Sequence, residues 1–430
     1  MANRLITQVE SEAGLLGAIV ANVLLNKLDQ IIEYKDGNEV TVKGGNRIPL
    51  EINDKWFFLD TDVDLSTAAD LDTGFVAAGT DYYVYACDNA GTLVFLISAA
   101  STFPTGYNAN TSRKLGGFHT ICAAVDHETG LTAWSAGTVI AIGETRKASV
   151  WDGYMYRCIV NGMTHATTEP TWSGISVGDT IVDNQVTWIK EQHALEGAAA
   201  ADILPASVWD LKHRAKCGNN AGMVYDTRTG IWVDIYLASG TGASTVSANG
   251  GIISDNRNWM DFADDVHAVG KRLLSNEEFQ SIAAGSNEET NITGSTDPVT
   301  TGGHSDTAGR RMISTIGCED CCGVMWQWIH DQAYCFGPAT NHTHNVTVSG
   351  NPETVTSGDP SSDVAPGSGY YNLPGAKGSL YLQGSSGDIK LIVGGNWNMG
   401  TKSGSRCCSE SCLRWLMDTD VGFRGWSGSL

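Results

Sequence analysis

The chain has 430 residues, of which 50 are glycine and only 17% are charged, and its formal net charge is −21. That length exceeds one compact core and predicts two to four domains, and the glycine content favours turns and short strands over long helices. The acidic balance, without Lys/Arg clusters, excludes phosphate neutralisation on nucleic acid and disfavours an anionic membrane surface.

Residues 11–33 place Leu16, Ile19, Val20, Val23, Leu24, Lys27, Leu28, Ile31 and Ile32 at three- and four-residue spacing. This predicts an amphipathic helix whose wide apolar face self-associates. Its best apolar run, Ala13 to Leu25, is too short for a membrane span and contains Asn22. Glu10 and Glu12 precede it, so no signal peptide is expected. Asp36-Gly37 then marks a hairpin turn.

Residues 46–130 read as all-β. Asp81–Ser98 is two strands rich in Tyr, Val, Phe and Ile about Asn89-Ala90-Gly91, and GGFHTICAAVD adds another. His119 in that run is expected to be a satisfied core or turn histidine. Residues 131–196 form a small β-module with Trp134, Trp151, Trp172 and Trp188. These indoles can build its core or present flat rings to a sugar. In so small a module the core is the commoner use.

GAAAAD at 197–202 is a low-complexity joint. Beyond it, 222–239 predicts a hairpin about Thr229-Gly230. A helix follows with Trp259, Phe262, Ala263, Val266 and Val269 on one face. A second starts at Ser275, where Ser275 and Glu278 form a capping box. Asp261, Asp264 and Asp265 are expected on the polar outer face of the first helix. Two helices among many short strands predict an α+β domain over 197–430. Residues 337–372, rich in Gly, Ser, Thr, Pro and Asn, read as one long loop. His342 and His344 are expected there as solvated loop residues.

The eleven cysteines include the adjacent pairs Cys321–Cys322 and Cys407–Cys408, poor spacing for a disulfide framework. Most are expected to be free and buried. Cys318 and Cys321 form a CxxC, but a zinc tetrahedron needs a second pair, from Cys335, Cys407, Cys408 or Cys412, through a tertiary contact. No metal or cofactor is expected, and no nucleophile–base motif is present.

ILPASVWDL, NWMDFADDVHAVGKRLLSNEEFQ, GRRMISTIGCEDCCGVMWQW, LPGAKGSLYLQG and GGNWN…GSR…GFRG occur in that order over roughly 200–430. Here the chain resembles the variable proteins diversified by retroelements, whose ligand-binding domain has a C-type-lectin fold and whose relatives include viral tail-fibre receptor-binding proteins. The resemblance implies a multidomain fold. An N-terminal helix and oligomerisation segment (1–45) and all-β tail-fibre-like modules (46–130 and 131–196) precede an α+β C-type-lectin-like domain (197–430). It implies a tropism-determining, non-enzymatic virion protein whose partners are a host-surface receptor, protein or glycan, and other tail proteins. It implies a homo-oligomer, a trimer by analogy with tail fibres.

The resemblance also implies that a reverse transcriptase rewrites adenines within Gly394–Gly425. Scaffold positions would be Gly394, Gly395, Trp397, Gly400, Gly404, Ser405, Arg406, Gly422, Arg424 and Gly425. Adenine mutagenesis of AAC or AAT keeps a third-base pyrimidine. It is compatible with Asn396, Asn398, Thr401, Ser403, Cys408, Ser409, Ser411, Leu416, Asp418 and Thr419 as display positions. It does not yield Met399, Lys402, Glu410, Trp415 or Met417. Two other readings share the residues. One is a host-encoded surface adhesin. The other is a formylglycine-generating-type oxidase, whose paired cysteines would fall on Met399 and Gly404 here.

Overall fold

The computed structural model describes residues 4–6, 30–45, 49–128, 130–335, 342–343, 369–372, 377–382 and 387–430. It is mostly β, with two short α-helices among the described residues.

The first hairpin forms where the turn chemistry places it. Ile32–Asp36 pairs with Glu39–Val42 across Gly37-Asn38, and Val63–Ser66 joins as a third strand. This corrects the helix expected over 11–33 at its end, because Ile32 and Glu33 are strand. The side chains of Ile31 and Ile32 are buried with Val40, Val42 and Leu65, and the Asp210 carboxylate takes both their N–H groups. Tertiary burial overrides the helical period there. Residues 11–29, which carry the rest of that helix and its self-association seam, lie outside the described residues.

Asp81–Asn89 pairs with Thr92–Ser98 about Ala90-Gly91 and, on its other side, with Ser112–His119. Trp209–Asp210 completes this four-stranded sheet, so hydrogen bonding crosses the GAAAAD joint. His119 is satisfied: Nδ1 lies 2.9 Å from Asp81 and Nε2 3.0 Å from the Tyr236 hydroxyl.

In the small module, Met155–Val160, Val186–Glu191 and Thr180–Asp183 form one sheet. Trp172 and Trp188 are buried with Tyr156 and Cys158, and Trp134 packs on them. Trp134 and Trp188 both donate their indole N–H to Asp183 (2.7 and 3.2 Å). These three rings are core. His193, near the end of the module, packs on His127 with ring centroids 4.3 Å apart.

The last unit has two main sheets and the short ladder of Ala238–Ser239 with Val246–Ser247. Met223–Asp226 and Ile231–Asp234 form the expected hairpin, and Gly425–Gly428 and Arg272–Leu273 extend it. The other sheet is built on the long strand Trp326–Cys335. It pairs antiparallel with Gly387–Val393 and parallel with Val421–Phe423. Cys408–Leu413 lies between Gly387–Val393 and Ser379–Leu382. Part of the expected 337–372 loop is strand: His342–Thr343 and Gly369–Asn372 pair at the edges, and His344 lies outside the described residues.

Helix α1 (Trp259–Ala268) is capped by Asn258 with Asp261, and α2 (Asn276–Ile282) by Ser275 with Glu278. Phe262 and Val266 of α1 are buried as expected. Asp265 is not on the outer face. It is buried, ion-paired to Arg257, and accepts the Gly242 N–H at 2.7 Å.

Candidate functional site

The stretch 394–425 begins on a turn only glycine can make. Gly394 and Gly395 have φ of +89° and +84°. A Cβ on Gly394 would sit 2.4 Å from the Cys321 carbonyl oxygen, so the turn also lies hard against the CxxC segment. Gly404 is similarly enclosed, with Lys377 backbone and the Glu288 carboxylate at 2.5 Å from a Cβ. Glu288 accepts Ser405 N–H (2.9 Å) and Oγ–H (2.5 Å) and pairs with Lys377 (3.2 Å). Trp397 packs on Leu237, Ile253, Met312 and Met325, and Arg406 is buried.

Arg424 closes the far end. Its guanidinium is buried and donates to the carbonyls of Asp234, Ile235 and Glu319 and to Gln327 Oε1. Burial opposes its charge, but Cys321, Cys318, Asp320 and Asp234 outweigh that and hold its pKa above the usual arginine value. Gly425 N–H bonds Asp234, which pairs with Lys271 at 2.5 Å. Gly422 is buried in a strand, where a Cβ would meet the Ser254 carbonyl oxygen at an ordinary contact distance of 3.4 Å. Gly400 starts a 3-10 turn over Gly400–Lys402.

The ten expected display positions divide sharply. Asn398, Thr401, Asp418 and Thr419 are exposed, while Ser411 and Leu416 are half-buried. Asn396, Ser403, Cys408 and Ser409 are buried. Cys408 lies in the main core with Leu380, Leu391 and Val393. Asn396 donates to Asp420 at 2.5 Å and accepts from Asn398 N–H at 3.2 Å. These four are corrected: their side chains are enclosed by their own chain and cannot meet a partner. A codon carries no information on which side of a strand its residue faces.

Two positions that the codon argument set aside are the prominent ones. Trp415 and Met417 are 58% and 59% exposed. They lie in the loop 414–420 between Cys408–Leu413 and Val421–Phe423. The loop is anchored at three points. Trp259 N–H donates to Arg414 C=O (3.0 Å), Asn256 N–H to Asp418 C=O (2.9 Å), and Trp326 N–H to Asp420 C=O (3.0 Å). The anchored backbone thus projects two large apolar side chains into solvent. The signal was present in the sequence as three large apolar residues inside a charged turn.

The three cysteines of the stretch 394–425 are held as neutral thiols. All ten whose state is described are free. Burial pushes the Cys407 thiol up to about 12 and Cys412 to about 11, and raises Cys408 well above its usual value. Cys321 donates to the Cys318 carbonyl at 3.7 Å. Among the described residues no three His, Cys, Asp or Glu side chains cluster as a metal site.

A family model described as the Mtd second domain matches residues 30–152. The tail fiber receptor-binding protein of Bordetella phage BPP-1 is 25% identical over 392 residues, covering 85% of this chain and 73% of that protein. The solved structures of the Major Tropism Determinant I1 and M1 variants superpose with a TM-score of 0.57 at 20% identity. They cover 94% of this chain and 84% of theirs. The likeness in fold runs along nearly the whole length of the chain. Residues 30–152 match the Mtd second domain, and the fold of the chain is similar to that of the major tropism determinant.

Proposed function

We propose that this protein is the receptor-binding, tropism-determining component of a viral tail fibre. It carries a C-type-lectin-like domain on its C-terminal side, and it presents part of the stretch 394–425 to a host-surface receptor. The observation that carries this reading is the division within that stretch. Glycine turns and the buried Arg424 fix the backbone, while the loop 414–420 projects Trp415 and Met417. A surface that changes its side chains must take its shape from other residues. The display set narrows accordingly to Asn398, Thr401, Ser411, Trp415, Leu416, Met417, Asp418 and Thr419. The likeness to a phage tail fiber receptor-binding protein supports the location in a virion tail. The protein works as a homotrimer alongside other tail proteins.

Purified protein, added to host cells before virus, should block adsorption. The Trp415→Ala/Met417→Ala variant should block at least tenfold less well. Full blocking by that variant would remove this face from the reading. A monomer in sedimentation equilibrium would remove the trimer. The neighbouring DNA should hold a near-copy of the 394–425 coding segment differing at adenines.

A further inference from the structure

The loop 414–420 is not an isolated apolar projection. Asn256 N–H bonds Asp418 C=O, and Ile253 N–H bonds Val299 C=O (both 2.9 Å), so the segments 252–256 and 297–300 continue from the loop. Ile252 and Val299 are exposed on this edge, as Trp415 and Met417 are on the loop. Carboxylates lie among them in two crowded pairs. Asp420 sits beside Asp418, and burial together with that neighbour pushes its carboxyl up to about 6. Asp255 is raised by burial and by Asp297.

Among the described residues, none of these four carboxylates has a lysine or arginine in its ion pairs. Arg257 is held by Asp265 and Lys271 by Asp234. Arg414, at the start of the loop, is half-buried and already engaged. Two like-charge pairs without a cation are unfavourable in the free protein.

Resting on the receptor-binding reading above, we propose that this face docks a basic, partly apolar protein segment of the receptor, with Lys or Arg heads on Asp418, Asp420, Asp255 and Asp297. Lysine and arginine are the side chains that join a long apolar stem to a cation. The stems lie on Trp415 and Met417, where an indole also attracts a cation. The heads relieve the crowded carboxylates. A neutral glycan gains nothing from that relief, and an acidic partner is repelled. The net charge of −21 steers a basic partner to the protein from a distance.

The test uses the full chain and labelled decalysine and decaglutamate peptides, with fluorescence anisotropy at about 0.05 M salt, followed by competition for host cells. Decalysine should bind at least tenfold more weakly to Asp418→Asn/Asp420→Asn and to Trp415→Ala/Met417→Ala. The remote charge-matched control Glu51→Gln/Asp54→Asn should stay within twofold of the unaltered protein. Decalysine, and not decaglutamate, should displace the protein from host cells. Equal loss in the control would reduce the effect to net charge and overturn the proposal. So would displacement by neither peptide from cells that the protein does bind, which leaves the receptor reading standing. Failure of the protein to bind cells at all, with peptide binding intact at this face, would instead count against the receptor reading.

Discussion

If mutagenesis at codon 408 replaced a displayed residue, asparagine should be tolerated there, because the unmutated AAC or AAT codon encodes it. The structure says otherwise. Cys408 is opposite Val393 on one side and Leu380 on the other, inside the main core. A carboxamide there has an acceptor oxygen and two donor hydrogens, and those apolar neighbours offer it nothing. Each unsatisfied buried group costs about 1–3 kcal/mol. The larger side chain adds overpacking of about 1–3 kcal/mol. Cys408→Asn should therefore destabilise by about 3–5 kcal/mol. Thr401→Asn, at an exposed position, should stay within about 0.5 kcal/mol. Urea unfolding of the full chain at fixed protein concentration, followed by tryptophan fluorescence, reads the difference. With an m-value of about 2–3 kcal/mol/M the Cys408→Asn midpoint should fall by more than about 1 M. Midpoints that coincide for the two variants would refute the burial argument and return position 408 to the display set.

The same assay tests the frame. Gly394→Ala combines φ of +89° with a Cβ 2.4 Å from the Cys321 carbonyl, and should cost about 3 kcal/mol or more; an unchanged midpoint would show that the turn relaxes freely. Arg424→Met leaves the carbonyls of Asp234, Ile235 and Glu319 without their donor and should cost about 3–5 kcal/mol; a loss under about 1 kcal/mol would contradict the clamp. His193 makes stability pH-dependent. Its Nδ1 accepts the Leu195 N–H (3.2 Å) and its Nε2 bonds the Ile313 carbonyl (3.2 Å), so a second proton has no acceptor. Burial first, and His127 second, push its pKa down to about 3. The unfolded imidazole takes its proton near 6.5, so the unfolded state is favoured as pH falls below that value. Stability should be full above pH 6.5 and lower by about 2 kcal/mol at pH 5. His193→Phe should flatten that slope, and an equal slope in both proteins would assign it to other groups.

What the sequence disclosed was what is decided locally. The hairpins at Gly37-Asn38, Ala90-Gly91 and Thr229-Gly230 follow from turn chemistry, and the cap at Ser275 from a three-residue spacing. The errors lie where distant chain decides. Ile31 and Ile32 fit a helical stripe but are claimed by the Asp210 carboxylate, almost 180 residues away. Asp265 fits a polar face but meets Arg257. Cys408 reads as an accident of mutagenesis because its neighbours Leu380 and Val393 are set by strand pairing, which no window on the sequence reveals. Within the candidate site, the glycine and arginine frame was legible from the family pattern. Which side chains it projects was not, since exposure in a loop depends on what packs beneath it.

The position of Gly425–Gly428 has a consequence for biosynthesis. This strand lies between Ile231–Asp234 and Arg272–Leu273, so the sheet begun near residue 223 stays open until residue 428 has been translated. Some 200 residues must leave the ribosome before the domain can close. Units earlier in the chain can fold while Ile231–Asp234 and Arg272–Leu273 wait for the strand that joins them. Substitutions in the stretch 394–425 therefore act on the last step of this sheet's assembly.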